Sequence, residues 1–165
     1  MHVPLYTVQG LSAGKVSVMA RPRGGDWLVD EIKDLQVSGV DVLVSLLTEA
    51  EVREFDLAEE ATLCQHQGIA FLSLPILDRA VPAFAPSTFQ FLDRLDAELA
   101  GGKHIAFHCR QGLGRAVLLA ASLLVLSGMS PDQACADLSK VRGCAVPETE
   151  EQHAWIVAFA RSRSR

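Results

Sequence analysis

Only four cysteines occur in the chain, Cys64, Cys109, Cys135 and Cys144, and no two stand in the Cys-x-x-Cys spacing of a zinc ribbon. Size excludes dependence on a disulfide framework, because a chain of 165 residues buries roughly two-thirds of the surface it exposes when unfolded and needs no covalent help to build a core. The cysteines are expected as reduced thiols. Positive charge is also in short supply: 15 Lys+Arg stand against 20 Asp+Glu, a formal charge of −5. That balance excludes the broad basic surface needed for nucleic-acid or anionic-membrane binding, so any anion site must be local. The longest apolar stretch, Val117 to Leu126 with Ser122 interrupting, falls far short of the roughly 20 residues that span a bilayer. The start, Met1 to Tyr6, lacks the basic stretch and apolar run of a signal peptide, and a cytoplasmic protein is expected. There is no internal repeat and no long linker. With about half its residues apolar, the chain reads as one domain over residues 1–160 with a basic tail, 161–165, to which no function is assigned.

Three short apolar runs read as buried strands: Val40 to Leu47, Ile69 to Leu74 and His104 to His108. Helical patterns lie between them. Leu28, Ile32 and Leu35 recur at helix spacing after Gly24-Gly25-Asp26, with Gly39 placed to end the segment. Thr48-x-x-Glu51 is a capping box, Asp56-x-x-Glu59 opens a second short helix with Leu57, Ala61 and Cys64 on one face, and Ser87-x-x-Gln90 caps a helix turning Phe91, Leu92, Leu95 and Leu99 inward. Ser130-Pro131 starts another helix, and Thr149-x-x-Gln152 the last, running to about Ala160. Strands alternating with helices predict an α/β fold with a central, mostly parallel sheet flanked by helices on both faces. Leu5–Val8 and Val16–Ala20 are expected to add a hairpin at one sheet edge.

The chemistry concentrates after the third strand. His108 is followed by Cys109-Arg110-Gln111-Gly112-Leu113-Gly114-Arg115 and then by an apolar helix from Ala116. A strand running through a glycine-containing loop into a helix N-terminus points successive backbone N–H groups into one concavity, where the helix dipole adds positive potential. Such a nest holds a phosphate-sized anion, and the same field stabilises the thiolate of a cysteine at its entrance. The planar fork of Arg115 suits two oxygens of one phosphoryl group. Residues 110–115 are thus the expected phosphate cradle and Cys109 the expected nucleophile. Two other motifs fail. Gly112-x-Gly114 lacks the third glycine of a dinucleotide fingerprint, where Val117 stands, and His104 with His108 flank a strand with no third metal ligand nearby.

His108-Cys109-x-x-Gly112-x-x-Arg115 resembles the signature of the protein tyrosine phosphatase superfamily, and Gly112-Leu-Gly-Arg115 is especially similar to its small atypical dual-specificity branch. Most of the chain takes part in the resemblance. Leu74-Pro-Ile-Leu-Asp78-Arg-Ala-Val-Pro82 resembles that family's general-acid loop, 31 residues before the cysteine, and Val141-Arg-Gly143 through Gln152 resembles its C-terminal region. The resemblance implies phosphomonoester hydrolysis through a phosphocysteine, with no metal and no cofactor. Cys109 would be the nucleophile, Arg115 the phosphoryl clamp, Asp78 the acid and His108 a support of the loop backbone. Gln152 fits the position that orients the hydrolytic water, and equally an ordinary capping box. Arg79 and Arg110 would flank the pocket and steer acidic substrates. The implied partners are a phosphorylated protein or a small phosphomonoester, not nucleic acid and not membrane; oligomeric state is not implied.

Two departures stand out: Ala116 replaces the family's usual Ser or Thr, whose hydroxyl helps the thiolate leave, and Glu148 replaces a frequent Gln. Ala116 keeps a rival open, a phosphate-reading module with negligible turnover. A sulfurtransferase is disfavoured by the five residues between Cys109 and Arg115, a loop sized for phosphate.

Overall fold

Residues 3–163 are described by the computed structural model. Five strands, β1 (Tyr6–Thr7), β2 (Lys15–Met19), β3 (Val42–Ser45), β4 (Ala70–Ser73) and β5 (His104–His108), form one sheet in the order β1-β2-β5-β3-β4. β1 pairs antiparallel with β2 at one edge, as expected of the N-terminal hairpin, and the other pairings are parallel. The helices are α1 (Leu28–Val37), α2 (Glu49–Glu54), α3 (Glu60–His66), α4 (Pro86–Ala100), α5 (Arg115–Leu126), α6 (Pro131–Arg142) and α7 (Glu150–Arg163).

Alternation along the strands separates two cores. Val16, Val18, Val42, Val44, Ile105 and Phe107 face one side and pack with α4, α5, α6 and α7; Met19, Leu43 and Ala106 face the other and pack with α1 and α3. Both faces are therefore covered, as a parallel sheet requires. β5 lies at the centre, so its C-terminal end and the loop after it sit on the most constrained strand. Residues 115–124 of α5 are all buried, a helix apolar around its whole circumference because it is packed on every side.

Several local expectations change. β4 is an edge strand paired only with β3, and Ala70 and Ser73 are exposed, so it is not a buried strand. No capping box opens α3, because Asp56 takes a left-handed φ of 54°; the helix begins at Glu60, which turns inward while Ala61 faces solvent. α4 starts at Pro86 with Ala85 as its cap residue, and no side chain caps it. α7 continues past Ala160 to Arg163, which pairs with Asp93 of α4, so 161–163 of the expected tail belong to the helix and 164–165 lie outside the described residues. The capping box at Thr48 and the cap at Ser130 form as expected. No helix among the described residues is long and apolar enough to cross a membrane.

Candidate active site

Cys109 stands at the end of β5 and is 3% exposed. From there the loop turns beneath the N-terminus of α5, and two glycines let it do so. Gly112 has φ 76° and approaches the backbone of Met19 so closely that a Cβ would lie 2.7 Å from its carbonyl; at Gly114 a Cβ would lie 2.5 Å from the Glu148 carboxylate. Arg142 of α6 steadies the loop from outside, donating to the carbonyls of Gln111 and Gly112, both at 3.2 Å.

Arg115 is 1% exposed, and its fork is held from three sides. Nη1 donates to Glu51 Oε1 at 2.7 Å and to the Ile76 carbonyl at 2.6 Å; Nη2 donates to Glu51 Oε2 at 2.9 Å and to Asp78 Oδ1 at 3.2 Å. Nε is buried with no partner. Burial works against the charge of Arg115, yet its hydrogen bonds to Glu51 and the electrostatic influence of the neighbouring Cys109, Glu51 and Asp78 hold its proton more tightly than usual. Burial likewise opposes the Glu51 carboxylate, but the Arg115 fork and the amide and hydroxyl of Thr48 prevail and bring it from 4.5 to about 2. Both terminal nitrogens of the fork are thus turned to protein carboxylates, Glu51 and Asp78.

A pocket of about 340 Å³ opens over Cys109, lined by Asp78, Arg79, Arg110, Gln111, Leu113 and Glu148. Asp78 and Cys109, 31 residues apart, line one cavity. Arg79 and Arg110 flank it but are not bare cations: Arg79 pairs with Glu148 at 3.2 Å, and Arg110 with Glu54 at 3.6 Å and Asp78 at 4.0 Å. Gly112 and Gly114 lie in the loop behind the lining. His108 is fully buried; its Nδ1 is 3.4 Å from the Cys109 carbonyl and its Nε2 2.6 Å from Glu60 Oε2. His104, at the far end of the same strand, bonds Ser17 Oγ at 2.6 Å.

Gln152 is fully buried and does not line the pocket. Its Oε1 accepts from Thr149 N, its own N–H donates to Thr149 Oγ1, and its Nε2 donates to the Ala80 carbonyl at 3.2 Å. The geometry fits the capping-box reading and adds a tether to the loop carrying Asp78. Trp155, one turn further along α7, supplies a second tether through Nε1 to the Pro82 carbonyl at 3.0 Å.

Sequence reasoning missed Glu51, Glu60 and Arg142. Glu51 was accounted for by its capping box, which left no sign that the same carboxylate clamps an arginine 64 residues away. Glu60 sits where helical periodicity expects solvent. Of the remaining thiols, burial and the Glu60 charge push Cys64 up to about 12, burial and Asp132 push Cys135 up to about 11, and Cys144 is exposed away from the pocket lining.

Comparison with known proteins bears on the fold and the family. Cyclin-dependent kinase inhibitor 3 of Rattus norvegicus is 29% identical over 131 residues, which cover 78% of this chain and 61% of that protein; the Homo sapiens protein is 28% identical over the same shares. The chain thus spans about three-fifths of the length of these curated relatives. Among solved structures, kinase-associated phosphatase with its catalytic-site cysteine replaced by serine superposes with a TM-score of 0.87 at 22% identity, covering 99% of this chain and 97% of that one. Tk-PTP in its active form gives 0.75 at 22% identity, covering 95% and 96%. Both likenesses are of fold. Residues 17–129, well over half of the chain, match the family model Tc-R-P, described as "Polymorphic toxin system, DSP-PTPase phosphatase", and the chain belongs to that phosphatase family within the protein tyrosine phosphatase superfamily.

Proposed function

We propose that the chain is a cysteine-dependent phosphomonoester hydrolase of tyrosine or dual specificity. The observation that carries this is the convergence of Cys109 and Asp78 on one pocket, with the buried Arg115 bonded to Asp78 at 3.2 Å. In the first step the Cys109 thiolate attacks phosphorus in line while the leaving oxygen takes a proton from Asp78, so an S–P bond forms as the P–O bond breaks. The loop N–H groups and Arg115 meet the charge on the equatorial oxygens. In the second step the Asp78 carboxylate takes a proton from water, the oxygen attacks phosphorus, and the thiolate departs as inorganic phosphate forms. His108 holds the Cys109 backbone from beneath, and Gln152 acts through the Asp78 loop as a positioning residue. No step requires a metal or a cofactor. Substrates are phosphorylated proteins or small phosphomonoesters.

An aryl phosphate assay tests the reading. Hydrolysis is expected to survive a chelator, to fall to background in Cys109→Ser and to be inhibited competitively by vanadate. Chelator-sensitive turnover that persists in Cys109→Ser overturns it. Tight vanadate binding with negligible turnover would instead favour the phosphate-reading module, to which Ala116, fully buried in the first turn of α5, gives its support.

A further inference from the structure

Beyond Met19 the chain leaves β2 alongside the phosphate loop, where Arg21 N donates to the Arg110 carbonyl at 3.3 Å. The Arg21 guanidinium lies over the ring of Phe55, 4.0 Å from its centroid, and the Arg110 guanidinium lies 5.1 Å from the same ring. Two cations therefore share one aromatic ring, and one of them, Arg110, lines the pocket over Cys109. Their charges are answered differently. Arg110 has Glu54 and Asp78, whereas Arg21 has no carboxylate within 4.0 Å among the described residues, and its side chain makes one hydrogen bond, to the adjoining Pro22 carbonyl at 3.1 Å. Neighbouring arginines are all engaged: Arg23 by Glu31, Arg53 by Glu49, Arg79 by Glu148 and Arg142 by loop carbonyls.

A guanidinium stacked on a ring is fixed in place while its edge donors remain available. In a chain of net charge −5, a half-buried cation so fixed, beside a phosphate loop and without a counter-charge, is arranged for an anion supplied from outside.

We propose that Arg21, seated on Phe55, is a second anion site that selects phosphopeptides bearing an acidic or second phosphorylated residue two positions from the phosphoresidue. This rests on the phosphatase reading above and names its substrate class. An extended peptide sets residues i and i+2 on one face roughly 7 Å apart, and Arg110 of the pocket lining and Arg21, at 5.1 Å and 4.0 Å from one ring centroid, lie within about 9 Å of each other. The rim continues outward through Arg23, stacked 4.5 Å over the exposed Trp27, which suits a chain better than a compact headgroup.

The test compares labelled phosphotyrosine peptides that differ only in Glu, phosphoserine or Ala two positions from the phosphotyrosine, together with an inositol bisphosphate. Binding to Cys109→Ser is measured alongside kcat/KM of the active protein. Acidic peptides are expected to bind about five- to tenfold more tightly than the Ala peptide, with the advantage in KM rather than kcat and weakened by salt. The double variant Cys109→Ser/Arg21→Ala should bring that ratio near one, and Phe55→Leu should reduce it partway. Equal binding of acidic and neutral peptides, or an advantage that survives Arg21→Ala, overturns the proposal. An Arg21 dependence larger for the inositol bisphosphate than for the peptides overturns the peptide class. Because binding is read in Cys109→Ser, absent turnover would count against the hydrolase reading while the selectivity result still decides this one.

Discussion

The loop over residues 109–115 is held chiefly by its own chain: it grows out of the central strand β5, closes through Gly112 and Gly114 against Met19 and Glu148, and becomes the first turn of the buried helix α5. The loop carrying Asp78 is held by side chains from elsewhere. Arg115 takes the Ile76 carbonyl, Gln152 that of Ala80 and Trp155 that of Pro82, while Arg79 pairs with Glu148. One wall of the pocket is thus part of the core and the other is hung from it. An anion cradle must be in place before substrate arrives, whereas a proton donor has only to reach the leaving oxygen, so damage to the first should cost every substrate and damage to the second only those that need the proton.

Arg115→Lys should do the greatest harm after loss of the nucleophile itself. A lysine ammonium cannot meet Glu51, the Ile76 carbonyl and a phosphoryl oxygen from one plane, and kcat/KM is expected to fall by about 10²–10³ for aryl and alkyl phosphates alike. A loss confined to alkyl phosphates would contradict the division between the loops. Glu51 bears on the same clamp through pH. Its folded-state carboxyl sits at about 2 against an ordinary 4.5, so its contribution to stability is complete above about pH 4.5 and is lost as pH falls towards 2. Chemical denaturation of wild type and Glu51→Gln should differ by on the order of 3 kcal/mol near neutrality, with the gap closing through that window. A gap unchanged at pH 3 would place the cost of the substitution in packing.

Asp78→Ala should separate the two walls. Alkyl phosphates are expected to lose about 10²-fold in kcat/KM and aryl phosphates with good leaving groups far less, because only the former rely on protonation. The basic limb of the pH profile should flatten with it. Equal losses for both classes would remove Asp78 from the role of acid.

Ala116→Ser is smaller again. A hydroxyl restored beside Cys109 should speed breakdown of the phosphocysteine by about tenfold and shrink the pre-steady-state burst of phenol expected of wild type. No burst in wild type and an unchanged kcat in the variant would make Ala116 a packing residue only.

What could be read from the chain before its structure follows the same division. Cys109 to Arg115 is legible because strand, glycines and helix lie next to one another, and local backbone geometry dictates what such a run can bind. Asp78 could be placed from its spacing and the resemblance of its loop. The residues that hold these groups were not legible, since their partners are distant: Glu51 was fully explained by the local cap it also forms, and Glu60 lies inward only because His108, 48 residues on, supplies a partner at 2.6 Å. β4 looked like a buried strand because an apolar run does not say whether a strand has one neighbour or two.

The smallest effect should come from the tethers, and it is the one that most sharpens the contrast between the loops. Trp155→Phe removes the Nε1 donor to the Pro82 carbonyl while keeping a ring among Phe84, Phe89 and Phe159. Losing one such hydrogen bond costs about 1 kcal/mol, which would be felt as a two- to fivefold fall in kcat/KM for alkyl phosphates through less accurate placement of Asp78. Aryl phosphates should be unaffected. Arg142→Leu is the matched change on the other wall, since it removes donors to the Gln111 and Gly112 carbonyls and leaves the Asp78 loop untouched. It should lower both substrate classes by a similar factor and leave their ratio unchanged. The ratio of alkyl to aryl kcat/KM therefore distinguishes a hung loop from a built one without reference to absolute rates. A ratio that moves equally in both variants would mean that the two walls yield together, as a single unit.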